Sequence, residues 1–203
     1  YYAFDYNSCY ERKNPEAVVM AFAKTFNGNS KAKLVIKTNG FIQNPNKVEK
    51  LKNFVIQQHI ENQTVFVNSF LTRNQIMELM NACDVFISLH RGEGLGLGML
   101  EAMALAKPVI ATNFGGNTEF MNKENSFLVD YGYMRPQNLD YKTYAFVEKW
   151  AAPNITQAAD YLNWIYTHTQ QAKELGRRAQ QSVFEYFNIK DFIKEISQII
   201  KDN

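Results

Sequence analysis

The chain is poor in cysteine and histidine, with two of the first and three of the second in 203 residues. Cys9 and Cys83 are too few for a disulfide framework. Cys83 opens an apolar run, so a free core thiol is expected there, as suits a reducing cytoplasm. His59, His90 and His168 are scattered, and no His/Cys/Asp cluster has metal-ligand spacing; no metal and no cofactor are expected. Net charge is also small, +2, with Lys and Arg dispersed among acids, which argues against a nucleic-acid-binding surface. No apolar run approaches the length of a membrane span. The first residues, Tyr1-Tyr2-Ala3-Phe4-Asp5, have neither an initiator Met nor a basic leader, so no signal peptide is expected and the start reads like the middle of a longer chain. No internal repeat or low-complexity tract is present.

The chain does have apolar residues, 46% of the total, which is ample for one core and tight for two domains. Strand and helix signals alternate over the first two thirds. Residues 1–5, Leu34-Val35-Ile36 and Val65-Phe66-Val67 read as strands. Between them, Asn14-Pro15 opens a helix with Val18, Val19, Phe22 and Phe26 inward, and Asn44-Pro45 opens another with Val48, Leu51, Phe54 and Val55 inward. Thr72 caps a third helix carrying Ile76, Leu79 and Met80. Uninterrupted apolar strands alternating with helices predict an α/β fold: a doubly wound parallel sheet, Rossmann-like, whose ligands bind beyond the carboxyl ends of the strands. The expected division is a core over 1–130, an irregular Tyr-rich segment over 131–154, and C-terminal helices over 155–203, the last of them near 189–201.

Residues 84–117, DVFISLHRGEGLGLGMLEAMALAKPVIATNFGGN, organise the reading. A short strand, Val85-Phe86-Ile87-Ser88, runs into the elbow His90-Arg91-Gly92-Glu93-Gly94-Leu95-Gly96. A helix over 97–106 follows, and Lys107-Pro108 stops it before a second strand, Val109-Ile110-Ala111-Thr112. Such a turn suits an anion, because glycines admit a ligand close to the backbone and a helix start offers free N–H groups. Glu93 and Glu101 bracket it. A continuous helix would hold them about 12 Å apart along its axis, whereas a loop at Gly94 and Gly96 lets them border one elongated cleft. Carboxylates accept hydrogen bonds from sugar hydroxyls and repel phosphate, so the pair suits a ligand with hydroxyls at both ends and phosphates between, such as a nucleotide-sugar. A dinucleotide turn fits less well, since the spacing is G-x-G-x-G and no acid ends the next strand. Glu101 as a mere solvated residue conflicts with its apolar helix.

Other polar loops follow predicted strands. Arg12 and Lys13 adjoin a helix N-terminus, where cations are unfavourable unless an anion neutralises them; a solvated pair beside Glu11 explains them equally well. Lys37-Thr38-Asn39-Gly40 and Asn68-Ser69-Phe70-Leu71 are either ligand loops or ordinary turns. His90 is a candidate for sugar or phosphate binding, and a weak one for a catalytic base, having no identifiable partner acid. Gly115-Gly116-Asn117 is a second glycine-to-helix turn, with Asn117 expected as a helix cap.

The segment EGLGLGMLEAMALAKPVIAT, with Glu93-x7-Glu101, resembles the donor-site signature of retaining GT-B glycosyltransferases, and more narrowly family 4, the glycosyl transferases group 1. The resemblance is strongest over residues 64–130 and matches the C-terminal, donor-binding half of a two-domain enzyme. It implies a nucleotide-sugar donor, retaining transfer of a hexose-type sugar in glycan biosynthesis, and an N-terminal acceptor domain of the same polypeptide. Any peripheral membrane association would run through that domain, and the isolated chain is expected to bind donor weakly without turnover. The resemblance assigns Glu93 to the sugar hydroxyls, Glu101 to the ribose, and Lys13 with Arg12 to the leaving diphosphate. The family's Arg lies earlier in that loop, where this chain has Asn7-Ser8, so either Arg12 or these amide and hydroxyl donors replace it. Backbone N–H groups over Gly94, Leu95, Gly96 and Leu97 would meet phosphate, and His90 sugar or phosphate. Lys37, Thr38, Asn68 and Leu71 would border the base. A non-catalytic nucleotide-binding or docking module of the same fold is the alternative.

Overall fold

The computed structural model describes residues 1–136 and 149–187. Six short strands alternate with helices: β1 (Tyr2–Asp5), β2 (Leu34–Asn39), β3 (Thr64–Asn68), β4 (Phe86–Ser88), β5 (Val109–Thr112) and β6 (Phe127–Val129). All their pairings are parallel, in the neighbour order β1-β2-β3 and β4-β5-β6. Two backbone bonds join these halves. The Tyr1 nitrogen donates to Val85 O at 2.6 Å, and Ile87 N donates to Tyr1 O at 2.9 Å. That is the pattern of a parallel ladder with Tyr1 opposite Phe86. The full order is therefore β3-β2-β1-β4-β5-β6, the doubly wound arrangement, and strand order reverses between β1 and β4.

Side chains alternate across this sheet, as the strand period demands. Tyr2, Phe4, Ile36, Ile87, Ile110 and Val129 face one core, with α2 (Pro15–Phe26), α3 (Pro45–Gln57) and α6 (Ile155–Thr167). Tyr1, Phe86, Val109 and Ala111 face the other, with α4 (Arg73–Asn81), α5 (Leu97–Ala104) and α7 (Thr169–Tyr186). Each fully buried large side chain contributes about 1.5–3 kcal/mol. Helix starts follow their sequence signals: Pro15 and Pro45 sit in first turns, and Thr72 and Gln75 form a reciprocal capping box on α4. A four-residue helix, α1 (Tyr10–Lys13), was not expected; it sits between β1 and α2.

Several expectations are corrected. The segment 131–154 is not irregular at its ends: β7 (Tyr131–Met134) pairs antiparallel with β8 (Trp150–Pro153). The ribbon docks edgewise, with Ala151 N donating to Arg91 O at 2.9 Å, so it buries no whole face and shows no period. Helix α5 ends at Ala104, two residues early, because Ala106 turns to a left-handed φ of 56° before Pro108. Cys9, not Cys83, is the fully buried thiol; Cys83 is only partly covered. The helix expected near 189–201 lies outside the described residues. Among the described residues no helix is long and apolar enough to cross a membrane.

Candidate functional site

The loops after β1 and β4 meet where strand order reverses, and a set of bonds holds them together. Arg91 N donates to Arg12 O at 2.8 Å, and Arg91 Nη1 donates to Glu11 O at 2.9 Å. Arg12 Nη1 returns a bond to Gly92 O at 2.6 Å. Asn14, in a left-handed turn and buried, donates from Nδ2 to Leu89 O at 2.8 Å. Tyr2 OH donates to Lys13 O at 2.7 Å. Asn14 and Arg91 are the residues that pattern reading passed over. The signal was weak: an Asn before Pro reads as a cap, and only its left-handed φ frees the side chain to reach across.

This clamp brings three predicted side chains together. Lys13 Nζ lies 2.5 Å from Glu93 Oε2, across 80 residues of sequence. Arg12 Nη1 lies 3.6 Å from the same oxygen, and Arg12 Nη2 donates to Ser8 Oγ at 3.0 Å. Burial pushes the Glu93 carboxyl up, but Lys13, Arg12 and the nearby His90 outweigh it, and the net shift is downward. Two cations and one carboxylate leave a local excess of positive charge. Lys13 has three N–H donors, and only one is needed for Glu93. Asn7 is exposed on the same loop, its Oδ1 accepting from Asn44 Nδ2 at 2.9 Å.

The elbow opens onto the N-terminus of α5. Gly94, Leu95 and Leu97 are exposed there, while Gly96 is buried at φ +90°, a conformation that favours glycine. The first N–H groups of α5 have no intrahelical acceptor and point out of the helix end. Behind them, the turn at 115–116 presses on Glu93. Gly116 N donates to Glu93 O at 3.0 Å, and a Cβ on Gly116 would lie 1.5 Å from Gly94 O. Asn117 is not a side-chain helix cap; it is buried, donating from Nδ2 to Thr112 O at 3.1 Å inside a 3-10 turn, Gly116–Glu119.

His90 is also corrected. It is fully buried, with Nδ1 at 3.0 Å from Ser88 Oγ and Nε2 at 2.9 Å from Phe114 O. A carbonyl only accepts, so Nε2 carries the hydrogen and Nδ1 accepts from Ser88. Burial holds the imidazole below its usual range, against the pull of the Phe114 carbonyl and Glu93. His90 braces the 113–116 turn and does not reach an open cleft.

At the other end, Glu101 sits in α5 with a side chain only 17% exposed and pairs with Arg73 of α4. The loops after β2 and β3 lie on this side of the sheet. Lys37 is removed from the set of exposed donors: it is 3% exposed, and Nζ is bound to Thr38 O and Asn39 Oδ1, both at 2.8 Å. Thr38 is buried too, its hydroxyl donating to Asn68 Oδ1 at 2.6 Å. On a two-faced sheet, residues that read as loop polar groups fall inside the strand β2, which runs to Asn39. Leu71 is half-buried, and Phe70, 69% exposed, packs its ring 5.4 Å from that of Phe41. A cavity of about 550 Å³ opens elsewhere, at the amino ends of β1, β2 and β4, around Tyr1, Phe22, Leu34 and Val85. It is largely apolar and far from the converged charges, so the chemistry is assigned to the carboxyl-end loops.

Comparison with known proteins agrees with this geometry. Residues 2–182 match the family model described as glycosyl transferases group 1. The chain is 26% identical over 191 residues to N-acetyl-alpha-D-glucosaminyl L-malate synthase of Bacillus anthracis, covering 94% of this chain and 42% of that protein. It is 25% identical over 162 residues to the alpha-1,3/1,6-mannosyltransferase ALG2 of Dictyostelium discoideum, covering 80% and 33%. Among solved structures, Anabaena Alr3699/HepE in complex with UDP superposes with a TM-score of 0.75 at 19% identity, over 100% of this chain and 49% of that one. The C-terminal domain of the Francisella tularensis group 1 glycosyl transferase LpcC superposes at 0.69 with 21% identity, over 91% and 83%. The chain thus spans less than half the length of the curated relatives named here, and its fold is that of the GT-B glycosyltransferases. The chain belongs to the glycosyl transferases group 1 family.

Proposed function

We propose that this chain is the donor-binding domain of a retaining glycosyltransferase that takes a nucleotide-sugar and works with an N-terminal acceptor domain of the same polypeptide, in the cytoplasm. The observation that carries this is the meeting of Lys13, Arg12 and Glu93 beside the α5 N-terminus, at the crevice where strand order reverses. Cations and helix N–H groups stabilise charge as it grows on a departing diphosphate, with no metal needed. Glu93 then accepts hydrogen bonds from the donor's sugar hydroxyls, and Glu101 from the ribose. The two acids do not act as a glycosidase acid and nucleophile, because each serves a different end of the ligand. Transfer of a hexose-type sugar fits the names of the two relatives, an N-acetyl-glucosaminyl L-malate synthase and a mannosyltransferase, and glycan biosynthesis is part of the same proposal.

UDP, present in the Anabaena complex, is the first nucleotide to try, with GDP and ADP beside it. Calorimetry on this chain should find a nucleoside diphosphate that binds, and a nucleotide-sugar that binds at least about tenfold tighter, the gain expected of charge-assisted bonds from Glu93. In Glu93→Gln that gain should vanish while nucleotide affinity stays, since Lys13 is released. Binding of base and phosphates with no gain from any sugar would point instead to a non-catalytic module. Failure of all three nucleotides to bind would overturn the proposal.

A further inference from the structure

Arg73 occupies an unfavourable place. It is the first residue of α4, where the helix dipole repels a cation. Its side chain is 67% exposed and free to turn into water, yet it crosses to α5 and donates from Nη1 to Glu101 Oε1. Glu101 is the reverse case, a carboxylate mostly covered on a helix whose neighbours Met99, Ala102 and Met103 are buried. Its Oε2 accepts no hydrogen bond from the described residues. The backbone beneath Arg73 is fixed, because Thr72 and Gln75 close a capping box around it. That box also ends the loop after β3, which follows Asn68 and holds the exposed Phe70.

We propose that Arg73 is a positioning residue for donor recognition: it anchors one oxygen of Glu101, leaves the other as the acceptor for the ribose hydroxyls, and ties that acceptor to the loop after β3. This rests on the reading of Glu101 as the ribose acid. An unanchored carboxylate spreads over rotamers and must be ordered each time a nucleotide binds; an ion pair fixes it beforehand. Arg73 touches no substrate in this scheme. Its effect is on the discrimination of ribose, and catalysis is left alone.

The test uses the tightest binder among UDP, GDP and ADP, and the 2′,3′-dideoxy form of the same nucleotide. Calorimetry on the wild type should show a preference for the ribose form of about tenfold or more, the value of a charge-assisted hydrogen bond. Arg73→Ala should cut that preference to about threefold or less, Arg73→Lys should restore most of it, and Arg73→Ala added to Glu101→Gln should cut it no further. A merely structural salt bridge would lower the melting temperature or weaken both nucleotides equally, leaving the preference intact; that result overturns the proposal. A wild type that binds the nucleotide with no ribose preference removes the role of Glu101 and this proposal with it, while sparing the phosphate site. A wild type that binds none of the three overturns the functional reading beneath it.

Discussion

Glu93 and Glu101 are almost equally covered, at 16% and 17% side-chain exposure, yet they are held in different ways. Glu93 lies in a glycine loop, its backbone clasped by Gly116 and its carboxylate by Lys13 and Arg12, which are themselves mostly covered. Glu101 lies in a helix, fixed by hydrogen bonds of its own turn, and its partner Arg73 stands largely in water. Equal burial therefore does not mean equal cost of disruption. A pair removed from solvent leaves a stranded charge when one partner goes, whereas an exposed cation is screened and contributes little to stability. The lesson is that the Glu93 end is built into the fold, and the Glu101 end is tuned from the surface.

The comparison breaks most severely at Gly116. Gly116→Ala places a methyl group where the Gly94 carbonyl sits, so the 113–117 turn must leave Glu93; a loss of about 3 kcal/mol is expected in denaturant unfolding, with the sugar gain in calorimetry lost too. Lys13→Ala should come next, at about 2 kcal/mol, because Glu93 is left covered with Arg12, at 3.6 Å, as its remaining ion-pair partner among the described residues. Nucleoside diphosphate affinity should fall in the same variant, while the melting temperature reads the stability. If Lys13→Ala proves no more costly than Arg73→Ala, the distinction between the two ends is wrong.

His90 gives a third, smaller handle on the Glu93 end. Its folded-state proton affinity lies below the ordinary value of 6.5, so the unfolded chain takes up the proton first as pH falls. The stability it confers is present above about pH 6.5 and is lost below it, by at most about 1.4 kcal/mol per pH unit. Thermal melts from pH 7.5 down to 5 should show this decline, and His90→Asn should flatten it, whatever its own stability. The lowered carboxyl of Glu93 acts in the same sense but only below about pH 4.5, so the two ranges separate. The smallest effect is expected for Arg73→Ala, about 0.5 kcal/mol or less in the same unfolding assay. A loss above about 2 kcal/mol there would show that the Glu101 end is as deeply rooted as the other.

Much of the sheet was legible because its signals are local. Apolar triplets such as Leu34-Val35-Ile36, proline at a helix start and the Thr72 cap depend on a few neighbouring residues, and each stands where it was expected. The paired acids and the Arg12-Lys13 step were legible as residues out of place, an acid in an apolar helix and cations just before a helix start, although the unexpected α1 puts both cations in its own last turn. Lys37, Thr38 and His90 were misread for the opposite reason. As text they are polar residues at strand ends, and only packing shows that they point inward and spend their donors on backbone carbonyls or on Asn39 and Asn68. The β7–β8 ribbon escaped notice because four-residue strands docked by an edge carry no alternation to read.

The amino-acid order alone determined the alternation of strand and helix and the glycine elbow between two acids, and it prompted the nucleotide-sugar reading proposed above. These follow from short-range periodicity and residue chemistry. Tertiary structure alone decided which charges meet. Lys13 finds Glu93 from 80 residues away because β1 and β4 lie side by side, and Arg73 finds Glu101 because α4 and α5 share a face of the sheet. Distances of that kind are set by the order of strands across the sheet, and no local pattern in the chain encodes them.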